Sequence, residues 1–173
     1  MLGACGCREA GVYRNIREYP SGYGETMVVI ARPWNDVLAF VDGDSNLVPI
    51  DFSLDCLGII TDIQWSPTGD TFVIDSYGEG DQNIDVYRIG DLKAAQGGAI
   101  QALPAWRRLD TYLHTAESLH WVNGHTVQFD STGNYDHFDA ATRRAEYMDG
   151  MSERTFVQSW MWDMDADTFR HAD

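Results

Sequence analysis

The chain has 173 residues, a natural size for one domain that buries about two-thirds of its unfolded surface. Its 44% hydrophobic and 12% aromatic content excludes a disordered tail, and 16 glycines against 5 prolines lean towards strands joined by tight turns. A net charge of −15 repels phosphate backbones and anionic lipid, which argues against nucleic-acid binding and spontaneous membrane adsorption. A basic protein partner or bound cations fit that charge, and so does acidity that serves solubility alone.

From the N-terminus, no stretch approaches the roughly 20 apolar residues needed to cross a bilayer, so no transmembrane segment is expected. Leu2-Gly3-Ala4-Cys5 resembles the lipobox of bacterial lipoproteins, although the charged and apolar regions that precede it in that family are missing here. The resemblance implies Cys5 as a lipid-bearing residue and a place on the periplasmic side of the bacterial envelope. With Cys5 lipidated, Cys7 and Cys56 remain as a candidate disulfide; the alternative is three reduced thiols. Cys5-Gly6-Cys7 alone is too sparse for a four-ligand zinc site.

Residues 1–26 read as a Gly- and Tyr-containing arm. Three similar units follow, at 27–56, 58–112 and 116–148, and then a last strand and acidic tail at 151–173. In each unit an apolar strand meets a turn of Pro, Gly, Asn or Asp. A second apolar strand then ends in Asp followed by Gly or Ser, and a polar loop leads to a third strand. Fourth strands are expected at 106–112 and 143–148, and a short helical turn at 91–96 is broken by Gly97-Gly98. The middle unit carries Trp65-Ser66-Pro67-Thr68-Gly69-Asp70 and Asn83-Ile84-Asp85-Val86-Tyr87. It resembles a WD40-like β-propeller repeat of the kind found in TolB. The resemblance implies an all-β fold of antiparallel meander sheets, about three blades, too few for a closed single-chain propeller of four or more. The sheets would be left as an open stack with exposed edges, completed by oligomerisation, or completed against another protein.

Candidate sites are weighed against their structural roles. Asp42, Asp44 and Asn46 place oxygen ligands at alternate positions, as in the first half of a calcium loop, and Asp163, Asp165 and Asp167 do the same. Both lack the later Gly and bidentate Glu, and turn chemistry explains the residues equally. Gly43-Asp44-Ser45 resembles the nucleophile block of GDS-type esterases, without that family's other blocks. His114, His120 and His125 cluster near the third unit, and His120 and His125 could face each other across a hairpin as zinc ligands. Trp34, Trp65 and Trp121 recur at the ends of first strands and read as core layers. Trp160-Met161-Trp162 cannot all point inward from one strand, so partial exposure and a partner-binding role are expected. Paired carboxylates carry no signal in so acidic a chain.

The functional expectation is a non-catalytic accessory protein of the bacterial envelope with no cofactor. It would bind a basic or membrane-embedded protein through a sheet edge or the Trp160–Trp162 patch, as a membrane-complex subunit or an immunity-type inhibitor. The alternatives are a hydrolase or metal-dependent enzyme, and a calcium- or ligand-binding β module.

Overall fold

The computed structural model describes residues 16–31, 36–41, 46–50, 52–54, 59–78, 81–98, 101–111, 115–133, 135–139, 144–147 and 156–172. Cys5, Cys7 and Cys56, Asp42 and Asp44, Trp34 and His114 lie outside these residues.

Three four-stranded antiparallel sheets organise the chain. The first takes β1 (Ile16–Pro20), β2 (Thr26–Ile30), β3 (Val37–Val41) and β4 (Leu47–Pro49) in sequence order. The second takes β6 (Ile59–Trp65), β7 (Thr71–Gly78), β8 (Asp81–Arg88) and β10 (Arg107–Thr111). The third takes β11 (Thr115–Trp121), β12 (Thr126–Gly133), β15 (Phe156–Asp163) and β16 (Thr168–His171). Two small pairings complete the described strands: β5 (Ser53–Leu54) runs parallel to β9 (Ala102–Leu103), and β13 (Tyr135–Asp139) forms a hairpin with β14 (Arg144–Tyr147). The one described helix, α1 (Ile89–Ala95), ends where Gln96 N donates to Leu92 O and Gly97 takes φ +72°. No described helix is long and apolar enough to cross a membrane.

The composition of the strands explains their packing. Thr26-Met27-Val28-Val29-Ile30 is almost continuously apolar rather than alternating, so β2 buries side chains on both faces. Met27, Val29, Leu38 and Phe40 of the first sheet share a buried cluster with Ile63, Phe72, Ile74 and Tyr87 of the second. From the other face of the second sheet, Val73, Ile84, Val86 and Leu109 join Val127, Phe129, Trp160 and Trp162 of the third. The second sheet is therefore sandwiched between the other two, and the protein is all-β, a series of blade-like sheets not closed into a barrel.

Each sheet enters its second strand through the same short motif: Gly24-Glu25-Thr26, Gly69-Asp70-Thr71 and Gly124-His125-Thr126. Gly24 and Gly69 have φ of +107° and +73°, a backbone that favours glycine. At Gly69 the neighbouring sheet adds a steric reason, because a Cβ there would stand 2.3 Å from the ring of Tyr23.

This phase revises the unit boundaries. The first sheet begins at β1, inside the segment expected to be an arm, so residues 27–30 form its second strand and not its first. Position Tyr19, not Trp34, therefore corresponds to Trp65 and Trp121 at the end of the first strand. The second unit closes as expected, with β10 against β8. In the third unit β15 takes the place beside β12 that was expected of residues 135–140, of which 135–139 pair instead with β14. The physical reason is length: β15 matches β12 over eight consecutive partners, whereas β13 has five residues and a register shift.

Candidate functional site

The first strands β1 and β6 run side by side and bring a polar cluster together. Arg17 donates from Nη1 to Thr61 O at 3.1 Å and from Nη2 to Asp36 Oδ2 at 3.1 Å and to Ile60 O. Asp36 Oδ2 also accepts from Ile60 N at 2.9 Å. Burial pushes the Tyr19 phenol up; Arg17 beside it opposes that shift, and Asp62 and Asp36 add to it.

A register shift between Ile60 and Asp62 bulges β6, and Asp62 comes to stand opposite Asp75 of β7. Gln64 Nε2 donates to Asp62 Oδ2 at 2.9 Å, and Gln82 Nε2 donates to Asp75 Oδ1 at 2.8 Å. Thr61 Oγ1 donates to the Asp75 main-chain carbonyl at 3.1 Å. Burial raises the Asp75 carboxyl above the ordinary carboxylate range; hydrogen bonds from Gln82 and Thr61 oppose it, and Asp62 adds to it. Asp62 and Asp75, each held by an amide donor, present acceptor oxygens to a donor or cationic group. Among the described residues no group of three or more His, Cys, Asp or Glu could hold a metal ion.

At the other end of the strands the Trp65–Thr71 turn is closed by hydroxyls. Asp70 Oδ1 accepts from Thr68 Oγ1 at 2.5 Å, Ser66 Oγ at 3.1 Å and Thr71 Oγ1 at 3.3 Å. The Thr68 bond chiefly holds the Asp70 carboxyl below its ordinary range, with smaller help from Ser66 and Thr71 against burial. The indoles then stitch sheet to sheet: Trp65 Nε1 donates to Tyr19 O at 2.7 Å, and Trp121 Nε1 donates to Gln64 O at 3.3 Å.

The sequence-predicted residues fare unevenly. Trp160 and Trp162 are 6% and 0% exposed, in the core between the second and third sheets, which corrects the expectation of an exposed tryptophan patch. Strand alternation places both indoles on one face and leaves only Met161, half-buried, on the other. Trp162 stacks on Phe169 at 5.3 Å, and Trp160 lies 4.0 Å from the ring of His171. Of the first calcium triad only Asn46 is described, exposed just before β4.

In the second acidic run, Asp163 Oδ1 accepts from the main chain of Asp165 and Ala166 at 3.1 and 3.0 Å. Asp167 Oδ1 accepts from Trp162 Nε1 at 3.1 Å, and Asp165 pairs with His125 at 3.1 Å. Each of the three carboxylates thus has a structural partner, and that of Asp163 closes the turn. His120 stands opposite Gln128 rather than His125, so the two histidines do not face each other across the hairpin. The Arg17–Asp36 and Asp62–Asp75 contacts were not read from the sequence. The Gly-Glu-Thr triplet before β2 was the signal that could have fixed the phase of the first sheet.

The class defined by this architecture is an all-β protein of propeller-type sheets. It is similar at 13% identity and a TM-score of 0.51 to hydrazine synthase of Kuenenia stuttgartiensis, over 88% of this chain and 39% of that one. It is similar at 12% identity and a TM-score of 0.50 to the tricorn protease, over 91% of this chain and 13% of that one. A third similarity is to the AtxE2 isopeptidase, at 14% identity and a TM-score of 0.50, over 91% of this chain and 28% of that one. The chain thus spans well under half of each, and likenesses this distant bear on the fold alone. No family model matches the sequence, and no curated protein matches it.

Proposed function

We propose that this chain is a non-catalytic binding module built of WD40-like, TolB-type blades, acting as an accessory subunit or immunity-type inhibitor at the bacterial envelope. The observation that carries the reading is the open series of three four-stranded sheets. The first-strand carbonyls of Tyr19, Ile60, Thr61 and Gln64 already accept bonds from neighbouring sheets, so partners are left the opposite edges and the rims. The charge of −15 favours rapid encounter with a partner that is basic overall. The lipobox-like Leu2-Gly3-Ala4-Cys5 supports anchoring through Cys5, with Cys7 and Cys56 left for a disulfide.

The test is gentle affinity purification of the native protein from its own membranes, with mass spectrometry of its N-terminus and of co-purifying chains. A diacylated Cys5 and a stoichiometric partner are expected. An unmodified Met1 on a lone soluble monomer would overturn the reading.

A further inference from the structure

Resting on the binding reading, we propose that Arg88 and Trp106 form an anchor point for a partner protein, taking a carboxylate from an Asp or Glu side chain of that partner. The first observation is the accounting of charge. Acidic residues outnumber basic ones 27 to 12, and described cations meet acids at close range: Arg17 with Asp36, Lys93 with Glu25, Arg107 with Asp167 and Arg108 with Asp85. Among the described residues Arg88 is exposed and has no acid within ion-pair distance.

The second observation is that Arg88, unlike a loose surface arginine, is held. Its guanidinium carbon lies 3.7 Å from the centroid of the Trp106 ring, and Arg107 lies 4.8 Å from the same centroid. Trp106 is fixed in turn, because its main-chain N donates to Val86 O at 2.8 Å and its ring packs on the core between the second and third sheets. Arg107 is committed elsewhere, through Nε to Met164 O at 2.8 Å and to Asp167 at 3.6 Å.

Stacking occupies the face of a guanidinium and leaves its in-plane N–H groups at the edge, a fork that matches a carboxylate in two parallel bonds. Arg88 and Arg107 share one indole, and the ion pair described there is that of Arg107 with Asp167, which makes a cationic island on an acidic molecule. Salt confines the rest of the −15 to a range of about 10 Å, so the island governs contacts made on it. Tryptophan and arginine are also the residues most enriched among interface anchors.

The test uses the full chain and two probes, acetyl-Leu-Glu-Leu-amide and acetyl-Leu-Gln-Leu-amide, followed by NMR at Arg88 Nε–H and Trp106 Nε1–H. The Glu peptide is expected to shift both signals saturably and to bind about tenfold more tightly than the Gln peptide, the worth of a charge-assisted pair. Arg88→Lys, which keeps the charge and loses the fork, should remove most of that difference while leaving the near-UV spectrum of the fold unchanged. Equal shifts from both peptides, or none at Arg88, overturn the proposal. The membrane-purified partner supplies the second arm. A partner whose affinity is unmoved by Arg88→Ala sinks this anchor while the binding reading stands; the absence of any partner sinks the binding reading and the anchor with it.

Discussion

Gly69→Ala tests the packing of the first sheet on the second most directly. Gly69 has φ +73°, where an alanine carries a backbone cost of about 1–2 kcal/mol. The new Cβ would also stand 2.3 Å from Cδ2 and 2.8 Å from Cγ of Tyr23, so the ring must move. That movement breaks the 2.5 Å bond from Tyr23 Oη to Pro67 O, a loss of about 1 kcal/mol. The total is about 2–3 kcal/mol, or a fall of about 4–12 °C in Tm at this chain length. Urea titration of Gly69→Ala, Tyr23→Ala and the double variant separates the two parts. Tyr23→Ala should leave Gly69→Ala only its backbone cost, a coupling of about 1 kcal/mol. Strict additivity would refute the contact, and a Gly69→Ala cost below about 0.5 kcal/mol would refute the turn geometry as well.

Three further outcomes follow from the same structure. Trp162→Ala empties a site that is 0% exposed and should cost about 3–5 kcal/mol in urea denaturation; a cost under about 1 kcal/mol would place this residue on the surface after all. Asp75→Asn keeps the acceptor for Gln82 and removes a carboxylate whose pKa is raised in the fold. A raised acid binds its proton more tightly folded than unfolded, so its ionisation erodes stability as pH rises from about 3.8 through the folded value. The variant should therefore be more stable than the parent at pH 7 and equal to it near pH 3, as thermal melts at both values would show; a gap independent of pH speaks against the cause given. Asp70→Asn has the opposite sign, because a lowered pKa stabilises above about 3.8 and that stability is lost as pH falls through the folded value. It should be less stable at pH 7 by a modest amount, since Asp70 is exposed, with the deficit shrinking in acid.

What could be read in the sequence divides along the range of the contacts involved. Trp65-Ser66-Pro67-Thr68-Gly69-Asp70 closes on itself through Ser66 N to Thr71 O at 2.8 Å and the Asp70 hydroxyl bonds, so local chemistry sufficed to place a turn between two strands. Pro20-Ser21-Gly22 is built from loop-favouring residues, and β1, which ends at Pro20, is too short and weakly alternating to show itself, so its strand is settled by pairing with β2. The tail strand depends on the same range of contact: Thr168-Phe169-Arg170-His171 is exposed at three of its four residues, and it is held by pairing with β15, with Phe169 stacked on Trp162 and His171 against Trp160. A bulge leaves no mark on alternation that a single sequence reveals, and the meeting of Asp62 with Asp75 depends on one.

The recurring aromatics show how a short local signal becomes long-range order. Tyr19, Trp65 and Trp121 stand at or next to the last residue of the first strands of successive sheets, each followed within a few residues by the glycine–acid-or-histidine–threonine turn. The two tryptophans each hand an indole proton to the main chain of the preceding sheet. On the same side the glycine of one turn receives a side chain from the turn before, Tyr23 on Gly69 and Thr68 beside Gly124. An indole donor fixes the height of one sheet against the last, and a missing Cβ fixes how closely the turns approach. Two such constraints per junction set the stagger of sheets whose apolar faces alone would slide, because burial is non-directional. This is why the glycine and the aromatic recur together, and why substituting either should loosen a junction rather than a single blade.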